Sequence, residues 1–519
     1  MKLPLIGILT LAGMLLGGPA HAQDAGTLYA EHCAACHGAD RLGGMGPALL
    51  PENLGRLGRK KAAEVIADGR SATQMPGFAD RLSPAAIGAL ADLVYTPLPQ
   101  VPTWGEAEIR ASRQVNAQAA ALPAKPVFQA DPLNLFVVVE SGDHHVTVLD
   151  GDRFEPIHRF QSRFALHGGP KFSADGRYVF FGSRDGWVTK YDLHNLTVVA
   201  EARAGINLRN IALSSDGRYV AAANFLPNSL VILSAEDLSP LKVIPAIDGK
   251  GEKASRVSAV YDARPRGSFI VALKDVPELW EVYYRDDAPK IYRGFVHSHE
   301  AGMEEGLADD GKLGVRRIAL DQPLDDFSFT ADYATLLGSS REAKGAVVVN
   351  LNVGRPIGAI PLPGLPHLGS AITWTWQGRP VMATPHLEQG LVSVIDTRDW
   401  SVAKEIATPG PGFFLRGHEK TPYAWTDTSL ASQKDTVVVI DTRTLEVART
   451  LHPAPGRTVM HAEFTRDGSH VLVSLAEMDG AIIVYDARTF EEVKRVPMVK
   501  PTGKYNVFNK ITLSAGTSH

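Results

Sequence analysis

Residues 33–38 read CAACHG and contain both of the cysteines in a chain of 519 residues. C-x-x-C-H is the spacing of covalent haem attachment, in which Cys33 and Cys36 would add to the two vinyl groups and His37 would ligate the iron. A disulfide, or half of a zinc site, is the alternative for such a pair, although zinc would want a second pair of ligands that no nearby Cys or His supplies. A second haem-iron ligand should follow in a loop, and Met75 in SATQMPGF offers a thioether that the next proline keeps out of a helix. A haem carries electrons, so the rest of the chain must give or take them. Its chemistry-bearing residues include the histidines of FALHGGPKF (His167), GLPHLGSAITW (His367), FFLRGHEKTPY (His418) and TVMHAEF (His461). Imidazoles brought to one end of a fold could ligate a metal cofactor or move protons. His297, His299 and Glu300 form a further, weaker candidate for a metal.

The elements that must position these groups fall into segments of different texture. MKLPLIGILTLAGMLLGGPAHAQ has the layout of a secretory leader, with one lysine, an apolar run and a small-residue ending, so cleavage is expected after Ala22. No later stretch reaches the roughly 18–20 apolar residues of a membrane span, and the expected location is the periplasm. A formal charge of −4 gives no case for nucleic acid as a partner. Residues 23–98 are rich in Ala, Gly and Leu and read helix, haem motif, loop, helix, which resembles a small all-α class I cytochrome c domain. Residues 99–125 form a connector containing Pro and Ala. From residue 126 to 519, short β-branched runs recur every ~40–50 residues, most clearly in FSADGRYVFFGSRDGWVTKYDL, LSSDGRYVAAANFLPNSLVIL and FTRDGSHVLVSLAEMDGAIIVYD. Five fainter copies bring the count to eight. The expected fold is therefore an all-β eight-bladed propeller, each blade burying its faces against its neighbours, with function in the loops at one end.

A CxxCH segment followed by eight blades, with LHGGPKFSADGRY, RPVMATPHLEQGLVSVID and the closing PTGKYNVFN, resembles the cytochrome cd1 nitrite reductase family over essentially the whole mature chain. The resemblance implies a haem d1 site in the axial cavity of the propeller, exchanging electrons with the covalent haem c. Some stretches depart from the reductases. PLDDFSF carries Asp325 where they have a distal histidine, VMHAEF carries His461, and GKYN carries Tyr505. These changes resemble the dehydrogenase members, which oxidise a propionate of dihydro-haem d1 to an acrylate and so complete haem d1. On that resemblance His461 accepts a proton, and Tyr505 orients a carboxylate or relays a proton. His367 ligates the tetrapyrrole iron, with His167 as its rival, and His418 lies in the pocket. Arg184, Arg209, Arg256 and Arg416 are candidate clamps for the carboxylates, since guanidinium groups hold their charge when buried. Electrons would pass to haem c and on to a small periplasmic acceptor, with nitrite reductase as recipient of the finished haem d1. A nitrite reductase proper and a non-catalytic haem d1 carrier are the alternative readings.

Overall fold

The computed structural model describes residues 24–44, 46–55, 57–69, 75–100, 102–117, 121–293, 307–309, 311–341, 345–513 and 515. The expected leader and the candidate metal group His297, His299 and Glu300 lie outside the described residues.

Helices Ala25–His32, Ala34–His37, Arg59–Asp68 and Pro84–Val94 build the N-terminal unit. Local sequence starts two of them: the Asp24 carboxylate accepts from the amides of Gly26 and Thr27, and Ser83 caps the last helix with Pro84 at its first position. Their apolar faces meet in one cluster around Leu28, Tyr29, Phe78, Leu90 and Val94. The connector is more structured than a plain linker. It holds a helix, Glu106–Ser112, and a short strand, Gln114–Val115, which pairs with the outer edge of the second blade.

The remainder is a ring of eight four-stranded antiparallel blades, the second of them widened by the connector strand. In each blade the two middle strands are buried on both faces, as in Leu135–Glu140 and Leu230–Leu233, which explains why they read as continuous apolar runs. The outermost strands are half exposed, as in Glu446–Leu451, and carry the charges. The recurring Ser/Thr-x-Asp-Gly makes the first hairpin of a blade. In Ser214–Tyr219 the Ser214 hydroxyl donates to Asp216 Oδ1 (2.6 Å), which also accepts from the Arg218 amide (3.0 Å), and Gly217 takes φ +71°. The same arrangement recurs at Thr465–His470. A second recurrent device ends the third strand. Asp150, Asp192, Asp396, Asp441 and Asp486 each accept from the amide two residues on, at 2.8–3.0 Å.

The first blade is completed by the last strand of the chain. Pro501–Asn506 pairs with Leu135–Glu140 in the register Val137 with Tyr505 and Val138 with Lys504. Helix Val507–Thr512 follows, capped by Asn506, and packs on Pro132–Asn134. The cytochrome unit sits against the third blade, where Ala48 and Leu50 share a buried cluster with Ile206 and Leu226, while Arg203 donates to the Leu42 carbonyl (2.5 Å).

Because two non-adjacent segments close the ring, truncation after Lys500 should leave Leu135–Glu140 as an unpaired inner edge. We expect loss of a cooperative thermal transition near the full-length midpoint and a fall in that midpoint of at least about 10 °C, measured by calorimetry.

Candidate functional site

Two sites can be built from these elements. In the N-terminal unit, Cys33 caps the helix that carries Cys36 and His37, so all three groups of the motif are held within one turn. His37 is buried, and its Nδ1 lies 2.7 Å from the Pro47 carbonyl oxygen. That bond places the proton on Nδ1 and leaves the Nε2 lone pair for a metal. Gly46 is pressed against the imidazole: a Cβ there would come within 2.8 Å of its Cε1. Burial pushes the Cys33 thiol up to about 11, as for an apolar niche, and Met75 packs on the same apolar cluster as Cys33. An imidazole fixed by its second nitrogen, two free thiols and a thioether on an apolar cluster fit a covalent c-type haem.

The second site is an axial cavity of about 310 Å³ in the propeller. Its wall is drawn from several blades and includes His167, Arg209, Tyr261, Asp326, His367, Phe413, Phe414, Arg416 and Tyr505. Gly168 and Gly169 explain the HGG of the sequence. They take φ +83° and +68°, and a Cβ on Gly168 would lie 2.5 Å from Asn210 Cβ. The Tyr505 ring lies over Gly169, with its hydroxyl 3.6 Å from where a Cβ would be.

His167 and His367 are anchored alike. Each Nδ1 lies 2.6 Å from a carbonyl oxygen, that of Arg209 and that of Phe413 respectively. Their outer nitrogens differ. His167 Nε2 meets Arg184 Nη2 at 3.2 Å and Arg209 Nη1 at 3.1 Å, whereas His367 Nε2 has no hydrogen-bond partner among the described residues. Burial lowers the pKa of both imidazoles, and the guanidinium groups of Arg209 and Arg184 add to the effect at His167.

Cations stand in the wall, as Arg209 and Arg416, and behind its Tyr261, as Lys171. Arg416 is 3% exposed, its Nη1 donates to the Leu415 carbonyl, and its Nε has no hydrogen-bond partner, with Glu463 Oε2 3.9 Å away. An orphan buried guanidinium N–H is a ready donor to a carboxylate. Lys171 holds its ammonium 5.7 Å from the Tyr261 ring, and burial pushes its pKa down to about 8 against the attraction of Asp326. The one carboxylate in the wall, Asp326, is already occupied: Tyr261 donates to it at 2.9 Å and the Gly369 amide at 2.8 Å.

His461 stands behind the wall, fully buried, with its ring 4.5 Å from that of Phe414 and 5.1 Å from that of Tyr505. Its Nε2 has no partner, and the Phe414 ring, which has no polar group, stands in the wall beside it. Opening Nε2 to the cavity past that ring therefore breaks no side-chain hydrogen bond. Burial first, then Lys504, Arg416 and Lys510, hold the His461 imidazole well below its usual value, and burial pushes Tyr505 up to about 12. The Asp427 carboxylate ties this end together, accepting from the amides of Phe413 (3.1 Å), Phe414 (3.0 Å) and His461 (3.4 Å).

Of the residues singled out from sequence, His167, His367, Arg209, Arg416 and Tyr505 share the cavity wall, and His461 lies one layer behind it. Arg184 reaches the site through His167. Two are elsewhere. Arg256 forms a bidentate pair with Asp275 (2.5 and 2.9 Å), and His418 lies against Phe464 and Gly468, outside the wall. Asp325 also points away, paired with Lys274; its neighbour Asp326 faces the cavity, because successive side chains at the start of a strand alternate. Sequence reasoning missed Lys171, Tyr261, Asp326 and Lys504. Lysines beside the glycine motifs GGPK and TGK were the available signal.

Comparison with known proteins agrees with this geometry. The model of the family described as "Cytochrome D1 heme domain" matches residues 130–510, and that of "Cytochrome C oxidase, cbb3-type, subunit III" matches residues 20–94. The chain is 56% identical over 509 residues to the dihydro-heme d1 dehydrogenase of Pseudomonas aeruginosa, covering 98% of each. It is 26% identical to the nitrite reductase of Stutzerimonas stutzeri, covering 96% of this chain and 97% of that one. Protein NirF of Pseudomonas aeruginosa is 28% identical over 71% of this chain and 90% of its own length. The solved structure of the dihydro-heme d1 dehydrogenase NirN in complex with DHE superposes with a TM-score of 0.86 at 56% identity, covering 94% of this chain and 100% of that one. Eight blades around a cation-lined axial cavity, joined to a CxxCH unit, thus have their counterpart in a known group: the chain belongs to the cytochrome D1 heme domain family.

Proposed function

We propose that the protein is a dihydro-haem d1 dehydrogenase, which oxidises a propionate side chain of the bound tetrapyrrole to an acrylate, removing two electrons and two protons. The observation that carries this reading is the buried, partnerless Nε2 of His461 beside the ring of Tyr505, at the end of the cavity where Arg416 keeps a spare donor. Identity of 56% over 98% of the chain to a curated dihydro-heme d1 dehydrogenase supports it.

The wall supplies binding and orientation. Arg416, Arg209 and Lys171 present positive charge to a macrocycle rich in carboxylates, in a site where low dielectric strengthens each contact. His367 offers its free Nε2 as ligand to the iron of that substrate. His167 has its Nε2 occupied by two guanidinium groups and serves better as a wall residue that carries their charge to the cavity. Tyr505, held protonated by burial, donates to the carboxylate next to the reacting carbons. His461, held neutral, is the acceptor for the proton of the carbon acid once the Phe414 ring moves aside. Held by Cys33, Cys36, His37 and Met75, haem c would supply an acceptor for one electron beside the propeller, and the ferric iron of the substrate would take the other. A small periplasmic redox protein is the proposed next carrier, the product passes to nitrite reductase, and the periplasm is the proposed location. Among the described residues no helix is long and apolar enough to cross a membrane.

With dihydro-haem d1 and an oxidant, the protein should yield the acrylate product. His461→Ala should slow single turnover by about 10²-fold or more while pigment binding stays within about twofold of wild type. An unchanged rate would remove His461 from the mechanism, and binding without any desaturation by the wild type would favour a carrier. Affinity for the anionic macrocycle should be flat below about pH 8 and fall as pH rises through 8, because Lys171 loses its charge there. Lys171→Met should abolish that step and weaken binding at pH 7 by about tenfold, read by spectroscopic titration.

A further inference from the structure

His461 is placed by an irregularity and answered by a lysine. Its backbone takes φ +53°, and the pairing of Val459–Phe464 with His470–Leu475 slips between Met460 and Ala462, so His461 is the extra residue of a β-bulge. The neighbouring closing strand delivers Lys504 behind it, with 0% exposure. Lys504 Nζ has three polar neighbours. It donates to the His461 carbonyl oxygen and to Ser474 Oγ at 2.9 Å, and it lies 3.5 Å from His461 Nδ1.

With the Ser474 hydroxyl accepting from Nζ, counting hydrogens around that nitrogen leaves two states. A neutral amine has two N–H groups, both used by the carbonyl and the hydroxyl, so its lone pair faces Nδ1. The imidazole must then be the Nδ1–H tautomer, with Nε2 free as a base. An ammonium has a third N–H to give, so Nδ1 must accept it and Nε2 must carry the imidazole proton. The two states differ by one proton, which can enter at Nε2. The charged groups facing this pair are Arg416 and Lys510 on one side of the balance and Glu463 and Asp427 on the other.

We propose that Lys504 is the positioning residue and proton reservoir of His461, resting as a neutral amine that fixes the Nδ1–H tautomer and taking the Nδ1 proton when Nε2 is protonated. In the dehydrogenation, which rests on the function proposed above, the substrate C–H bond breaks and its electron pair stays with the substrate for the oxidation. An N–H bond forms at Nε2, the Nδ1–H bond breaks, and a third N–H forms on Lys504. The single positive charge ends on Lys504, where Glu463 and Asp427 attract it against the repulsion of Arg416, rather than on an imidazolium that faces Arg416 and Lys510 with no carboxylate to offset them. Burial pushes the Lys504 ammonium well below its usual range, as a neutral resting amine requires. The same lysine donates to the carbonyl of the residue it serves, so the bulge and the tautomer are fixed together.

Long-range ¹H–¹⁵N correlation spectra of ¹⁵N-histidine-labelled protein, without added tetrapyrrole, read the tautomer directly, His461 being assigned by the signal lost in His461→Gln. The wild type should show Nδ1–H, and Lys504→Met should lose that preference. With dihydro-haem d1, Lys504→Met should slow single turnover by about 10²-fold with the macrocycle Kd within twofold, and the permanently charged Lys504→Arg should not restore it. An Nε2–H tautomer in the wild type overturns the proposal, as does a Lys504→Met protein with wild-type tautomer and rate. Should Lys504→Met fail to fold, the wild-type tautomer alone decides. If the wild type fails to desaturate the substrate, the proposed function falls, while the tautomer still tests the role of Lys504.

Discussion

Closure of the ring by the final strand is the constraint on which the rest depends. Pro501–Asn506 supplies the innermost strand of a blade whose other strands begin at Leu135, His145 and Pro156, near the start of the propeller, and the pairing of Val137 with Tyr505 locks its register. A slip of one residue would exchange the faces of Lys504 and Tyr505. One pairing event therefore completes the propeller, places the phenol over Gly169 and drives a lysine in behind His461. Fold and chemistry share this strand, so its sequence answers to both.

The character of the cavity comes from charges denied water. Arg416 is nearly inaccessible, with Glu463 Oε2 3.9 Å from its Nε and no hydrogen bond made by that nitrogen. Burying cations in this way is costly, and unsatisfied atoms on Arg416, Glu463 and His461 show that the protein alone does not fully repay it. An anionic ligand would. The well-paired networks lie elsewhere, as at Glu281, which is held by Arg266, Arg316, Ser268 and Tyr283. At the cavity, by contrast, Arg416, Glu463 and His461 each keep an unsatisfied polar atom.

The seat of the cytochrome unit on the third blade has a bearing on electron flow. Leu226 shares the apolar cluster with Leu50 and Ala48. Its neighbour Phe225 lies under the guanidinium groups of both Arg184 (5.7 Å) and Arg256 (5.5 Å), and Arg184 reaches His167 in the cavity wall. Arg256, anchored to Asp275 and stacked on Phe225, is absent from the cavity wall. Packed contacts run without interruption from the CxxCH unit to the tetrapyrrole site.

The sequence by itself determined what local chemistry determines. CAACHG announced the haem, and the recurring β-branched runs, with Asp-Gly turns in the clearest copies, counted eight blades. Each is read within a few residues, because a turn or a covalent attachment needs only its neighbours. His167 and His367 stood out as histidines in the sequence, whereas Tyr505 was legible only through the family resemblance of GKYN. Only the tertiary structure decided which charged groups meet across the ring. It sent Arg256 to Asp275 and His418 behind Phe464, turned Asp326 inward instead of Asp325, and brought Lys171 and Lys504 to a site that no spacing connects. Those placements are set by blade geometry and by strand alternation, where a shift of one position reverses the face. Lys504 and His461 are 43 residues apart in sequence, yet their side chains meet.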